Sequence, residues 1–296
     1  MWSRSALGHK TASCQDVDVS LPRRLPELDG HHPIDHDTIS AFQTDGHCCV
    51  RGLATAAECA DYLPEIEAGV EAWHPDPQPM DERSTYQQAI LQALAVRGLR
   101  EGIRRFVDSP RFARAAAELL GVDGVRLYHD QALFKEPTGG RTPWHQDQNY
   151  WPLDTDDTIT MWMPLADIHT DVGSMTFVDG SHRDGDIEAG DISDASDARI
   201  AERIERVGLS TTTHGSLHAG DATFHRGWTL HSAPANPTPH MRPVMTIIYF
   251  ADGARITEPD RPEQRFDLRM WLDDGTPGDL AAGPSNPLLW PTARAS

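Results

Sequence analysis

The chain has 296 residues and a net charge of −19, from 26 Lys and Arg against 45 Asp and Glu. That length admits one large domain or two modest ones, and a hydrophobic fraction of 39% with 8 Trp and 8 Phe excludes a disordered chain. The negative charge repels phosphate backbones and anionic bilayers, so neither a nucleic-acid nor a membrane partner is expected. No apolar run approaches the roughly 18 residues of a membrane span, and the opening MWSRSALGHKTASCQ lacks a signal-peptide core. The expectation is a cytoplasmic protein. Cys14, Cys48, Cys49 and Cys59 form no CxxC pair, which suits free thiols in a reducing compartment. Lys10 and Lys135 are the only lysines, and the Arg and Ala richness suggests a GC-rich bacterial genome.

Residues 1–35 lack periodicity and read as a poorly ordered arm. Gly46 to Leu53 reads as a short strand, and Thr55 with Glu58 forms a capping box opening a helix through about Gly69. Pro75, Pro77 and Pro79 mark a loop. A helical pattern over 84–107 places Ile90, Leu94, Leu99, Ile103 and Phe106 on one side. Ser109-Pro110 then opens a second helix, which ends at Gly121.

After Gly124 the period changes from 3.6 to 2. Strands are predicted over 125–135, 141–148, 157–165, 173–178, 216–224, 227–232 and 242–250. Short strands joined by turns indicate a mainly β fold with flanking helices, a double-stranded β-helix or jelly-roll, cupin-like barrel. The domain is placed at 36–255, with an acidic insertion near 183–206 holding a short helix, followed by an irregular extension over 256–296.

Trp144-His145-Gln146-Asp147 carries the chemistry. On a strand His145 and Asp147 face one way, giving two of the three ligands of a 2-His-1-carboxylate triad. HxD also occurs at His169 and His182, but both sit in turn-like contexts where capping or solvation is the simpler role. The third ligand should come from His214, His218, His225, His231 or His240. His231 ends a predicted strand before a Pro/Asn turn, and Arg242 follows eleven residues later. If 227–232 and 242–250 pair as a hairpin, Arg242 returns beside His231, where its guanidinium could grip a carboxylate at two points.

These residues resemble the phytanoyl-CoA dioxygenase family of Fe(II)/2-oxoglutarate-dependent oxygenases. The likeness covers about residues 40–250 and rests on Asp130-Gln131, Lys135-Glu136-Pro137, Trp144 to Asp147, Trp162, Gly173-Ser174, Gly180 to His182, Gly220-Asp221, His231, Asn236 and Arg242. It implies Fe(II) held by His145, Asp147 and His231, 2-oxoglutarate gripped by Arg242 with Gln131 and Trp162 against it, and O2 as oxidant. A small organic molecule would be oxidised, most simply by hydroxylation, with release of succinate and CO2. Related halogenases lack the carboxylate ligand, which Asp147 supplies here. Ala233 stands where relatives often place a hydroxyl, and Ser232 is expected to face the other way. The residues themselves are compatible with structural roles instead: Trp162 could be core, and Gln131 could be an isolated buried polar group.

Two other classes stay open at this level. A cupin-like metal-dependent isomerase or hydrolase would use a similar cluster but needs no Arg242. A non-catalytic metabolite-binding barrel would show no succinate release. The substrate is not legible, and the oligomeric state is left open with a monomer favoured.

Overall fold

The computed structural model describes residues 24–74, 79, 82–83, 88–170, 172, 174–187 and 192–292. Helices α1 (His36–Asp45), α2 (Ala56–Trp73), α3 (Glu101–Val107) and α4 (Pro110–Leu120) lie mostly ahead of the strands. The strands are β1 (His47–Val50), β2 (Leu91–Leu94), β3 (Val125–Phe134), β4 (Thr142–His145), β5 (Thr158–Pro164), β6 (Thr176–Val178), β7 (Thr211–Thr213), β8 (Ala222–Arg226), β9 (His231–Ala233), β10 (Val244–Ala251) and β11 (Leu288–Trp290). Helix α5 (Asp194–Val207) precedes β7, and α6 (Pro262–Trp271) follows β10.

The strands form two antiparallel sheets. The larger runs β1-β8-β5-β10-β3-β11, with β2 also paired to β3, and the smaller runs β4-β9-β6-β7. Non-consecutive neighbours in both sheets are the signature of the jelly roll, the expected double-stranded β-helix. One face of the large sheet presents Ile159, Met161, Phe224 and Ile247 to Phe42, Tyr62, Ile66, Phe106 and Phe112 of the helices. Each such side chain contributes roughly 1.5–3 kcal/mol by leaving water. The opposite face turns toward the small sheet, where Trp162 and Val244 pack on Met175, Phe177 and Ala233.

Local signals hold where the chain caps itself. Thr55 and Glu58 form the reciprocal capping box, and Ser109 accepts from Phe112 N ahead of Pro110. Gly121 closes α4 in the left-handed conformation at φ 74°.

The helical reading of 84–107 fails in its first half. Leu91 to Leu94 form β2 instead, because the edge of β3 is free to pair with it. Ala95 then turns the chain at φ 50°, its N–H donating to Asp130 O at 2.8 Å, before α3 begins. Apolar residues spaced at 90, 94 and 99 fit a helix and a half-buried strand alike, and the available sheet edge decides. Residues 84–87 lie outside the described residues, as do most of the arm, the greater part of the proline-rich loop, Cys14 and Gly173. The segment 256–296, expected to be irregular, contains α6 and β11, and β11 extends the large sheet beside β3. Gly and Pro between these two elements hide them from a periodicity reading. Among the described residues no helix is long and apolar enough to cross a membrane.

The Gly220-Asp221 pair is a structural corner. Gly220 sits at φ 89° with its carbonyl accepting from Ala54 N at 2.9 Å, and a Cβ there would run into the Ala54 carbonyl. Asp221 binds Gly52 N, His218 N and Arg51 through its two oxygens. Gly220→Ala should therefore lower stability by about 2 kcal/mol or more, combining left-handed strain with a backbone clash. A denaturant unfolding midpoint equal to the parent's would contradict this.

Candidate metal centre

His145 ends β4 and His231 opens β9, and the antiparallel register sets them directly opposite one another. Their ring centroids lie 4.1 Å apart. Each Nδ1 faces a backbone carbonyl, Pro143 O at 2.8 Å and Thr229 O at 2.9 Å. A carbonyl only accepts, so Nδ1 carries the proton and each Nε2 keeps its lone pair. Both Nε2 atoms point at Asp147 Oδ1, from 3.5 and 3.7 Å. Ligand atoms of His145, Asp147 and His231 all lie within 4.8 Å of one another, a spacing that can hold one metal ion. The donor set fits ferrous iron: two neutral imidazoles and one carboxylate on one side, with room opposite for further ligands.

The route to this geometry differs from the expected one. Asp147 is not on the strand; it opens a 3-10 turn, Asp147–Tyr150, immediately after β4. The alternation argument thus paired His145 with Asp147 correctly in space but by the wrong backbone. A turn in this place lets the carboxylate swing toward the large sheet, where Oδ2 accepts from Thr160 Oγ1 at 3.0 Å and His225 Nε2 at 3.1 Å. Thr160 and His225 are themselves register partners across β5 and β8. Burial opposes charge on Asp147, but the imidazoles of His231, His145 and His225 outweigh it and hold the carboxyl well below its usual range. Burial, with His145 and His225 alongside, pushes the His231 imidazole well down.

The expected hairpin is absent. β9 pairs with β4 and β6, while β10 pairs with β3 and β5, so His231 and Arg242 belong to different sheets. The reason is the jelly-roll crossover, which sends consecutive strands to opposite layers. Arg242 is instead fixed by a two-way backbone bridge to Lys135, with N···O distances of 2.9 and 3.0 Å. Lys135 is fully buried, its ammonium donating to Gly140 O and Pro234 O, while Asn236 donates to the carbonyls of Lys135, Glu136 and His240. Arg242 is 2% exposed, and burial lowers its guanidinium to about 9, so it remains a cation.

Arg242 and the three candidate ligands share the wall of one cavity of about 560 Å³ between the sheets. Gln131 and Trp162 line it too. They stand in one row across the large sheet, each opposite Thr246 of β10. The Arg242 guanidinium carbon lies 5.1 Å from the Trp162 ring centroid, and Gln131 Oε1 accepts from Gln92. Ser232 and Ala233 both border the cavity, with Ala233 packed beside Trp162 and Val244.

Of the other histidines, His169 is exposed and His182 lies in a 3-10 turn, Ser181–Asp184. His218 pairs with Asp167 and His214 with His47, away from the cluster. His240 is exposed. His225 and Thr160 are the supporting residues that sequence reasoning misses. Their signal is present as polar side chains at alternate positions, 158-160 and 223-225, inside otherwise apolar strands.

The phytanoyl-CoA dioxygenase family model matches residues 42–244, more than half of the chain. The chain belongs to the phytanoyl-CoA dioxygenase family. A probable alpha-ketoglutarate-dependent hypophosphite dioxygenase of Stutzerimonas stutzeri is 27% identical over a 163-residue alignment that covers 52% of this chain and 54% of that protein. The match thus spans about half the length of that curated relative. Among solved structures, the non-heme alpha ketoglutarate dependent epimerase SnoN from nogalamycin biosynthesis is 27% identical with a TM-score of 0.71, covering 86% of this chain and 97% of its own. The same epimerase has been solved with Fe3+, alpha ketoglutarate and nogalamycin RO, at 28% identity, a TM-score of 0.69 and coverage of 86% and 97%. The carbocyclase SnoK, at 21% identity and a TM-score of 0.71, covers 86% of this chain and 96% of its own and supports the fold.

If Oδ2 of Asp147 is held as described, His225→Ala or Thr160→Val should weaken divalent-metal affinity by roughly 10- to 100-fold, the usual loss when a ligand's support is removed. His169→Ala and His182→Ala should leave it unchanged. Chelator competition measures all four; unaltered affinity in both of the first pair would show that Asp147 orients itself.

Proposed function

We propose that the protein is a non-haem Fe(II)/2-oxoglutarate-dependent dioxygenase acting on a small organic molecule. The observation that carries this reading is the pairing, inside one cavity, of a His145–Asp147–His231 cluster with the buried cation Arg242. His145, Asp147 and His231 would hold the iron, each through the atom the structure already aims at the common point. With Fe(II) bound, 2-oxoglutarate and O2 supply the oxidising power, giving succinate and CO2 as one oxygen atom becomes available to the substrate.

The remaining work belongs to the chain. Arg242 offers two parallel donors to the far carboxylate of 2-oxoglutarate from a buried position on the cavity wall. Trp162 stacks beside that guanidinium and fixes its plane, and Gln131 supplies a polar edge to the same compartment. Lys135 and Asn236 hold the loop that delivers Arg242. Thr160 and His225 keep Asp147 turned so that Oδ1 stays with the imidazoles.

A cupin-like isomerase or hydrolase has no use for a buried arginine across from its metal, and a passive barrel has no use for three convergent ligands. Hydroxylation is the simplest outcome, yet the similar proteins include an epimerase and a carbocyclase, so a product assay must admit results without oxygen insertion. The catalytic unit is read as residues 36–255 together with α6 and β11, which complete its wall and its large sheet.

His145→Ala, Asp147→Ala or His231→Ala should each abolish succinate formation and iron retention, because three ligands leave no redundancy. Arg242→Lys should raise the 2-oxoglutarate KM by about tenfold or more while iron content stays at the parent level, since an ammonium cannot match a two-point fork. Steady-state succinate release and iron analysis test both. A 2-oxoglutarate KM unmoved by Arg242→Lys would remove the co-substrate from this site.

A further inference from the structure

One side of the cavity is lined by α6, whose Glu263, Asp267 and Trp271 recur every four residues, with the exposed Phe266 at its rim. Asp267 is 6% exposed. Its Oδ2 accepts from Tyr128 Oη at 2.9 Å, and the Trp271 indole is its other donor. Both donors are neutral, and no basic group acts on this carboxyl among the described residues. The basic residues of α6, Arg265 and Arg269, lie on its exposed side. Burial pushes the Asp267 carboxyl up to about 7.

An ionised carboxylate in such a wall lacks a counter-charge, and burying it so is costly. The surroundings deepen the asymmetry. Arg242 is the sole Lys or Arg among the described lining residues, and it sits beside Trp162 at the start of β10. Near α6 the cavity is lined by aromatic rings: Tyr150, Trp151 and Trp271, with His129 stacked on Trp271 at 4.7 Å. Burial lowers His129 to about 4, which leaves that ring neutral. The cavity therefore has one cationic end and one acidic, aromatic end.

We propose that the α6 end is the substrate's recognition site, and that it takes a molecule with an aromatic or otherwise apolar body bearing a basic nitrogen, which pairs with Asp267 and has Glu263 beside it. This rests on the reading of the cavity as an oxygenase site. The ammonium supplies the charge that Asp267 lacks, and the rings give it π-faces. An acyl-CoA thioester, rich in phosphate, meets two carboxylates there and is rejected.

The test uses protein loaded anaerobically with Fe(II) and 2-oxoglutarate, titrated by fluorescence with two tricyclic probes of matched size. Aminoacridine is a cation at about pH 8, and anthracenecarboxylate is an anion. The cation should bind roughly ten- to a hundredfold more tightly, the range of a hydrogen bond to a charged group. Asp267→Asn keeps an acceptor for Tyr128 but loses the charge, and should erase that preference. Equal binding, a preference for the anion, or a preference that survives Asp267→Asn overturns the assignment. Equal binding or anion preference in the unmodified protein overturns the assignment by itself, so the proposal stays falsifiable if the variant misfolds. Iron and 2-oxoglutarate uptake is measured first. Its failure overturns the oxygenase reading and this assignment together, whereas uptake without charge preference overturns the assignment alone.

Discussion

Asp147 is a carboxylate that touches both sheets, and the site depends on how its two oxygens are divided. Oδ1 faces the two imidazoles of the small sheet, while Oδ2 is bonded to Thr160 and His225 of the large one. A carboxylate accepts only, so His225 must donate from Nε2, which leaves its buried Nδ1 as an acceptor without a hydrogen-bond partner. That is the cheaper orphan, since a lone pair left dry costs less than a stranded N–H donor. The arrangement assigns one proton per ring: Nδ1 on His145 and His231, Nε2 on His225. The two Nε2 lone pairs and Oδ1 therefore face one another, an arrangement that a cation between them relieves.

The inter-sheet position of Asp147 also explains why register matters more here than strand identity. His145 opposite His231 and Thr160 opposite His225 are two separate pairings in two separate sheets. A slip of one residue in either would turn its polar side chains outward and bring core residues into the cavity. The helices behind the large sheet guard against this, because Ile159, Met161 and Phe224 alternate with Thr160 and His225 and must stay on the helical side. Core and site are thus specified by the same alternation.

That coupling accounts for what is legible in the sequence. The central strands β3, β5 and β10 of the large sheet can be read because both their faces carry information, apolar toward the helices and, on β5, Thr160 beside Trp162 toward the cavity. The His-x-Asp spacing and the late His231 with Arg242 name residues that the fold brings to one cavity. What fails is each inference about how they meet. A chain read in order puts His145 and Asp147 on one strand, and His231 and Arg242 in one hairpin, since nearest-neighbour pairing is the natural default. The jelly roll breaks that default twice, with a 3-10 turn at Asp147 and a crossover before Arg242. Similarly β2 is hidden inside an apolar spacing that a helix would also satisfy, and only the free edge of β3 resolves it. α6 lies in a stretch whose Gly and Pro suggest no element at all, yet Pro262, Glu263, Phe266, Asp267 and Trp271 all line the cavity.

The position of α6 bears on how one fold serves several chemistries. Arg242 is tied to Lys135 by a backbone bridge and His145 to His231 by strand register, so that end of the cavity is built into the β framework. α6 lies beyond residue 244, where the family match ends, and is held to the site by side chains: Trp271 on His129, Tyr128 to Asp267 and Gln264 to Asn149 O. Substitutions on its inner face can therefore alter charge and shape at that end of the cavity without moving a sheet register. A carboxylate there costs stability when it is ionised without a partner, and Tyr128 and Trp271 offset only part of that cost because they bring hydrogen bonds but no charge. Such a residual penalty is what a ligand of opposite charge can relieve, which converts a local defect of folding into selectivity for the molecule that completes it.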